Sequence, residues 1–255
     1  MGMATSKKKM IYFFIFITGL FFSVPAHSNE VQKWIIKGME PGSITIIGEY
    51  HKRPESIQFF QSLISKYLQQ DKCLVVALEI ASSQQVILDG IVEGKSTVSD
   101  VEISSTIDHL DFRAMINDLV EVARRNDCLK IIAIDAGTDI GIRRDEWMAK
   151  ILAEQASQAP ILALLGNLHS LKKVEWNFEK TAPYVAEILA SLNHKISTYP
   201  QIWVDKTCSN QSELISSDRK KAVEIINNNF ISLLNAYEYK TVNDVVDGII
   251  LWKCS

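Results

Sequence analysis

Four short runs of almost uninterrupted apolar residues recur along the chain: Ile44-Thr45-Ile46-Ile47, Leu74-Val75-Val76-Ala77-Leu78, Leu129-Lys130-Ile131-Ile132-Ala133-Ile134 and Ile161-Leu162-Ala163-Leu164-Leu165. Runs this short, without polar alternation, predict strands covered on both faces. Between them the apolar residues fall at helical spacing. Pro54 to Gln70 carries Ile57, Phe60, Ile64, Tyr67 and Leu68; Phe112 to Asn126 carries Met115, Leu119, Val122 and Ala123; Arg144 to Ala156 carries Trp147, Met148, Ile151 and Leu152. Strand alternating with helix predicts an α/β fold, with a mostly parallel central sheet, flanking helices and right-handed crossovers. Further on, Glu179 to Leu192 reads as a helix, while Lys195 to Val204 and Val245 to Trp252 read as strands. Ser82 to Asp111 is too long for a simple crossover and is expected to form a helical insertion near the cleft.

The N-terminus has a different pattern. Lys7-Lys8-Lys9 precede an uncharged apolar run from Met10 to Val24, followed by Pro25-Ala26-His27-Ser28. A basic start, a short apolar core and small residues at Ala26-x-Ser28 predict a signal peptide over 1–28, cleaved after Ser28. The run is short for a membrane span, so no stable membrane insertion is expected after cleavage; the alternative is a retained N-terminal anchor. Residues 29–255 are expected to form a single α/β domain. The formal charge of the whole chain is -3, from 27 basic and 30 acidic side chains; the leader takes three lysines and no acid, so the mature chain stands at about -6. That balance argues against nucleic acid as a partner. All four cysteines, Cys73, Cys128, Cys208 and Cys254, belong to the mature part and none forms a CxxC pair. Cys73 and Cys128 each stand just before a strand, and the other two share the last quarter, so the expected disulfides are Cys73–Cys128 and Cys208–Cys254, as suits a periplasmic or secreted protein.

The residues after each strand carry the chemistry. The first run leads into Gly48-Glu49-Tyr50-His51, the second into Glu79, the third into Asp135 and the fourth into Gly166-Asn167-Leu168-His169. In a parallel sheet the carboxyl ends of strands share one edge, so two Gly-x-x-His segments and two acids meet there. Plainer roles exist for each: the glycines can serve tight turns, and Glu79 and Asp135 can cap helices. Arg144, opening a helix just after Asp135, can reach an anionic group or an oxyanion, or form a surface ion pair; Asp145 can cap that helix or orient Arg144. His109 lies in the insertion, where it can approach the cleft as part of a lid, although a solvated loop is the expected setting, and His194 reads as a cation at a helix C-terminus. If His51 and His169 lay on opposite faces of the sheet, no common site would exist.

The ordered set Gly48-Glu49-Tyr50-His51, Glu79, Arg144-Asp145-x-x-Met148-Ala149 and Gly166-Asn167-Leu168-His169 resembles the erythromycin esterase-like and ChaN/Tiki (TraB-like) superfamily over roughly Ile44 to Ser170. The chain is short after His169 and carries Ser170 where the esterase branch commonly has a bulkier apolar residue. The resemblance implies an α/β fold with a site of Glu49, His51, Glu79, Arg144 and His169, and either hydrolase activity, divalent-metal dependence as in the Tiki branch, or haem binding as in the ChaN branch.

Three expectations follow. In the first, an exported hydrolase of ester, amide or peptide bonds uses His51 as general base, Glu49 or Glu79 to fix its tautomer, and Arg144 and His169 to stabilise an oxyanion. A variant of it places a divalent metal (Mn, Co or Zn) on Glu49, His51, Glu79 and His169. The alternative is a haem- or iron-binding uptake protein, with Tyr50, His51 or His169 as axial ligand and no CxxCH attachment motif; the third is a degenerate family member acting through protein contacts, which the intact set Glu49, His51, Glu79, Arg144 and His169 argues against. The expected partner is a small molecule or peptide.

Overall fold

The computed structural model describes residues 26–137, 140–157, 159–174, 183–204, 211–230 and 238–253. The four apolar runs become β1 (Ser43–Glu49), β2 (Leu74–Ala81), β3 (Leu129–Asp135) and β4 (Ile161–Gly166); with β5 (Lys195–Tyr199) they form a parallel sheet in the order β3-β2-β4-β1-β5. Alternate side chains feed two cores. Ile47, Val76, Leu78, Ile131 and Leu162 face one side; Ile46, Val75, Ala77, Ile132 and Ala163 face the other. Both faces are dry, which is why the runs lack polar alternation.

On the first face lie α1 (Ala26–Lys37), α2 (Pro54–Leu68), α3 (Gln85–Val92) and α4 (Leu110–Ala123); on the second lie α5 (Arg144–Gln155) and α6 (Val185–Ser191). β1 and β2 therefore exit toward one face, β3 and β4 toward the other, as right-handed crossovers require. Because these strands alternate across the sheet, the connections part to opposite sides and leave the carboxyl edge open between them. The start of α2 is set locally. Lys52 takes a left-handed conformation (φ 65°), Arg53 is extended, and Pro54 opens the first turn with its φ already helical.

A second sheet, β6 (Gln201–Trp203), β7 (Gln211–Ser216) and β8 (Gly248–Lys253), has β8 at its centre, parallel to β6 and antiparallel to β7. In β8 the period of two is strict: Ile249 and Leu251 enter a third apolar cluster with Ala222 and Ile225 of α7 (Lys220–Ile225), while Ile250 and Trp252 join the main core. The strand expected over Lys195 to Val204 is in fact two, broken at Pro200. This residue has no N–H for a ladder, but its carbonyl accepts from Ile250 at 2.9 Å and hands the chain from one sheet to the other.

The insertion after β2 is helical as expected, containing α3 and two single 3-10 turns, with Leu88, Ile91, Val98, Val101 and Ile107 buried in the main core. Its end is clamped: Arg113 donates to both oxygens of Asp108 (2.7 and 2.9 Å) and to the Val98 carbonyl at 2.8 Å. Cys73 and Cys128 form a disulfide joining the entries of neighbouring strands β2 and β3. The expected Cys208–Cys254 lies outside the described residues, as does most of the segment 1–28 expected to be a signal peptide; the cut expected after Ser28 falls in the first turn of α1. Among the described residues no helix is long and apolar enough to cross a membrane.

Candidate functional site

The polar residues read as following the strands lie within their last residues. Glu49 ends β1, opposite Gly166 of β4, and Asp135 ends β3. In β2, Leu78 pairs with Ala133 but Ala81 with Asp135, so one extra residue is accommodated around Glu79 and Ile80. Such a bulge re-aims a side chain at the end of a strand. Glu79 points to the carboxyl edge, where its Oε2 accepts the backbone N–H of Gly166 at 2.7 Å.

Arg144, in the first turn of α5, ties these ends together. It grips Asp135 with two bonds, Nε to Oδ1 at 2.8 Å and Nη2 to Oδ2 at 2.9 Å, and Nη2 also donates to Glu79 Oε1. Burial opposes its charge, but the Asp135 and Glu79 carboxylates outweigh burial and hold the guanidinium above its ordinary range. Nη1 stands 3.4 Å from His169 Nε2, leaving its second N–H without a protein acceptor among the described residues. Asp145 neither caps α5 nor touches Arg144. Its Oδ1 instead meets His169 Nδ1 at 2.5 Å and accepts the Val185 N–H at 3.0 Å. With Nδ1 on Asp145, His169 turns Nε2 toward Arg144 Nη1.

On the β1 side, His51 Nδ1 faces Glu49 Oε2 at 3.7 Å. This pairing with Glu49 raises the His51 pKa above its ordinary 6.5, against the opposing pull of burial. A residue expected in solvent completes the group: His109, at the N-terminal boundary of α4, is 12% exposed and holds Nε2 3.8 Å from Glu49 Oε1. Glu49 Oε1, His51 Nδ1 and His109 Nε2 are all buried, and none has a hydrogen-bond partner among the described residues.

The two Gly-x-x-His segments interlock. A β-carbon on Gly166 would lie 3.1 Å from His51 Nε2 and 3.5 Å from His169 Cδ2, so both imidazoles rest over this glycine from one side. A β-carbon on Gly48 would collide with Asn167 Oδ1 and lie 2.8 Å from the Pro200 backbone. Neither glycine has a positive φ, so close approach, rather than a tight turn, is what both positions require. The space at Gly48 lets Asn167 pair with the backbone of Gln201 like a strand residue, donating at 2.8 Å and accepting at 2.9 Å.

Glu49, His51, Glu79, Arg144 and His169 thus come together at one edge, joined by Asp135, Asp145 and His109. Tyr50 points away, 48% exposed, with its ring 5.7 Å from that of Trp203 and the Arg53 guanidinium lying over both. The expected metal set of Glu49, His51, Glu79 and His169 does not fit a divalent ion. Both oxygens of Glu79 are engaged by Arg144 and Gly166, and both nitrogens of His169 face Asp145 and Arg144. No group of three or more His, Cys, Asp and Glu side chains among the described residues converges as metal ligands.

The arrangement of sheet and helices is an α/β fold that the chain shares with solved structures, ChaN among them. Two solved structures carry that statement. A Bacillus cereus protein matches with a TM-score of 0.60 at 9% identity, covering 89% of this chain and 98% of its own. ChaN of Campylobacter jejuni, described with cofacial haem binding, matches with a TM-score of 0.51 at 12% identity, covering 88% and 91%. No protein-family model and no curated protein matches the sequence.

Proposed function

We propose that the chain is an exported hydrolase of ester, amide or peptide bonds, with His51 as general base. One observation carries the reading: His51 presents Nδ1 to the Glu49 carboxylate and Nε2 over Gly166, on the side of His169 and the spare N–H of Arg144. Glu49 favours the tautomer with Nδ1–H, which leaves Nε2 to take a proton from water. As water adds to a carbonyl carbon, the proton passes to His51 Nε2, the π electrons move to oxygen, and Arg144 Nη1–H stabilises that oxyanion. Collapse expels the alcohol or amine, which recovers the proton from His51. Asp135 and Glu79 hold Arg144; Asp145 holds His169, keeping Nε2 against Nη1. The Cys73–Cys128 disulfide supports export.

The test is hydrolysis of an ester, amide and peptide panel by the chain from Asn29 onward, with and without Mn(II), Co(II) or Zn(II), beside His51→Ala. Turnover that falls by on the order of 100-fold or more in the variant supports the base; unchanged turnover removes it.

A second reading, haem binding, is favoured by the exposed Tyr50 beside Trp203 and Arg53 and by the likeness to ChaN. These residues fit the group: a phenol oxygen for iron, an indole face for the macrocycle and a cation for a propionate. Bound haem would supply iron-centred ligand chemistry, while Tyr50, Trp203 and Arg53 bind and orient it. A Soret band on haem titration that disappears in Tyr50→Phe supports this reading, and an unchanged spectrum removes it.

A further inference from the structure

His109 is delivered to the edge by the one segment whose length no crossover needs. We infer that it is a positioning residue of the hydrolytic site, its Nε2–H holding Glu49 Oε1 while Oε2 serves His51. This rests on the hydrolase reading above. Four observations carry it. First, His109 occupies the N-terminal boundary of α4, where a side chain often caps, yet it makes no cap bond; its backbone carbonyl starts the helix by accepting Arg113 N–H at 3.1 Å. Its ring is free for another task. Second, that ring is 12% exposed, packs at 6.2 Å against Phe112, and aims a buried, unpartnered Nε2 at a buried, unpartnered carboxylate oxygen. Leaving two complementary polar groups unpaired inside a protein is costly, so the pair is poised to close, as catalytic hydrogen bonds do when substrate excludes water. Third, the approach is rigid. Arg113 locks the preceding residue, Asp108, and the Val98 carbonyl, so His109 is held at the end of a fixed arm. Fourth, the other nitrogen, Nδ1, faces Asp111 Oδ2 at 3.7 Å, but Asp111 is 45% exposed and solvent can serve it, so a ring with one N–H is better used on the buried Glu49 oxygen. The insertion is therefore part of the site, and one carboxylate serves two imidazoles, one on each oxygen.

The first measurement needs no activity. Nitrogen-resolved imidazole NMR of the full mature chain at one pH should show His109 Nε2 as the protonated, pyrrole-type nitrogen, and Glu49→Gln should shift that resonance. A His109 spectrum indifferent to Glu49→Gln overturns the inference. The second uses the best substrate of the panel: His109→Phe, which keeps the bulk, should lower kcat by about 10-fold to 100-fold with little change in KM, and His109→Gln, which keeps an N–H, should recover much of it. Full kcat in His109→Phe also overturns the inference. Loss of kcat in His51→Ala alongside unchanged kcat in His109→Phe refutes the inference and spares the hydrolase reading; absence of turnover in every chain refutes the hydrolase reading, and the NMR result then decides the Glu49–His109 pairing.

Discussion

Gly166 is the residue on which the two histidine segments close, and the space it leaves is a testable requirement. Gly166→Ala places a methyl 3.1 Å from His51 Nε2. It should displace the ring and lower kcat by on the order of 100-fold while the thermal midpoint stays near that of the parent; a fully active variant would contradict the arrangement. Much of the cluster was legible before any coordinates, because strand-end placement alone brings Glu49, His51, Glu79, Arg144 and His169 to one edge. Their partners were harder to see. Asp145 stands in the first turn of a helix, where an acid reads as a cap, and only the fold reveals His169 beside it. Asp135 looked equally like a cap until Arg144 proved to grip both its oxygens. His109 belongs to an insertion that can reach the cleft as a lid, but a polar loop residue reads first as solvated, and only the fold places it against Glu49.

At the scale of elements, the ion-pair knot fastens α5 to the ends of β2 and β3. Arg144→Met strips two buried carboxylates of their cation and should destabilise by about 3 kcal/mol, the lower end of the range for a broken buried pair because Arg144 is 46% exposed. Urea unfolding measures it, and a loss under 1 kcal/mol would show that the knot holds nothing together. The four central strands were readable because each is buried on both faces and therefore continuously apolar. The break at Pro200 was not, since Lys195 to Val204 keeps one β-like pattern while its two halves belong to different sheets. The small sheet is legible only in part: β8 falls in the strand expected over Val245 to Trp252, but β7, Gln-Ser-Glu-Leu-Ile-Ser, is two-thirds polar and acquires an identity only by pairing with β8. α1 is hard to read beside the apolar run from Met10 to Val24, although its Val31, Ile35 and Ile36 belong to the main core.

Across the whole molecule, the Cys73–Cys128 bond closes a loop with a sequence separation of 55 between the entries of two adjacent strands. Loop-closure entropy for that length gives about 4 kcal/mol. The double variant Cys73→Ser/Cys128→Ser should lose stability in the range of about 2–5 kcal/mol by urea titration, and no loss would deny the bond a structural part. Charge sets the pH window. Pairing with Arg113 lowers the Asp108 pKa, and pairing with Lys253 lowers that of Glu213, so their contributions are present above the unfolded values and fade as pH falls through the depressed ones. His51 works in the other direction. Its pKa is raised by Glu49, so its contribution is complete below 6.5 and fades as pH rises through the raised value.

The same raised pKa bears on activity with the opposite sign, because a general base must be neutral. The direct measurement is the pH dependence of kcat/KM for the mature chain and Glu49→Gln on the best substrate of the panel. The wild-type acid limb should fall below an inflection above 6.5, and Glu49→Gln should move that inflection down toward 6.5 while lowering the plateau. An acid limb at the same pH in both proteins would contradict the assignment of His51, paired with Glu49, as the base.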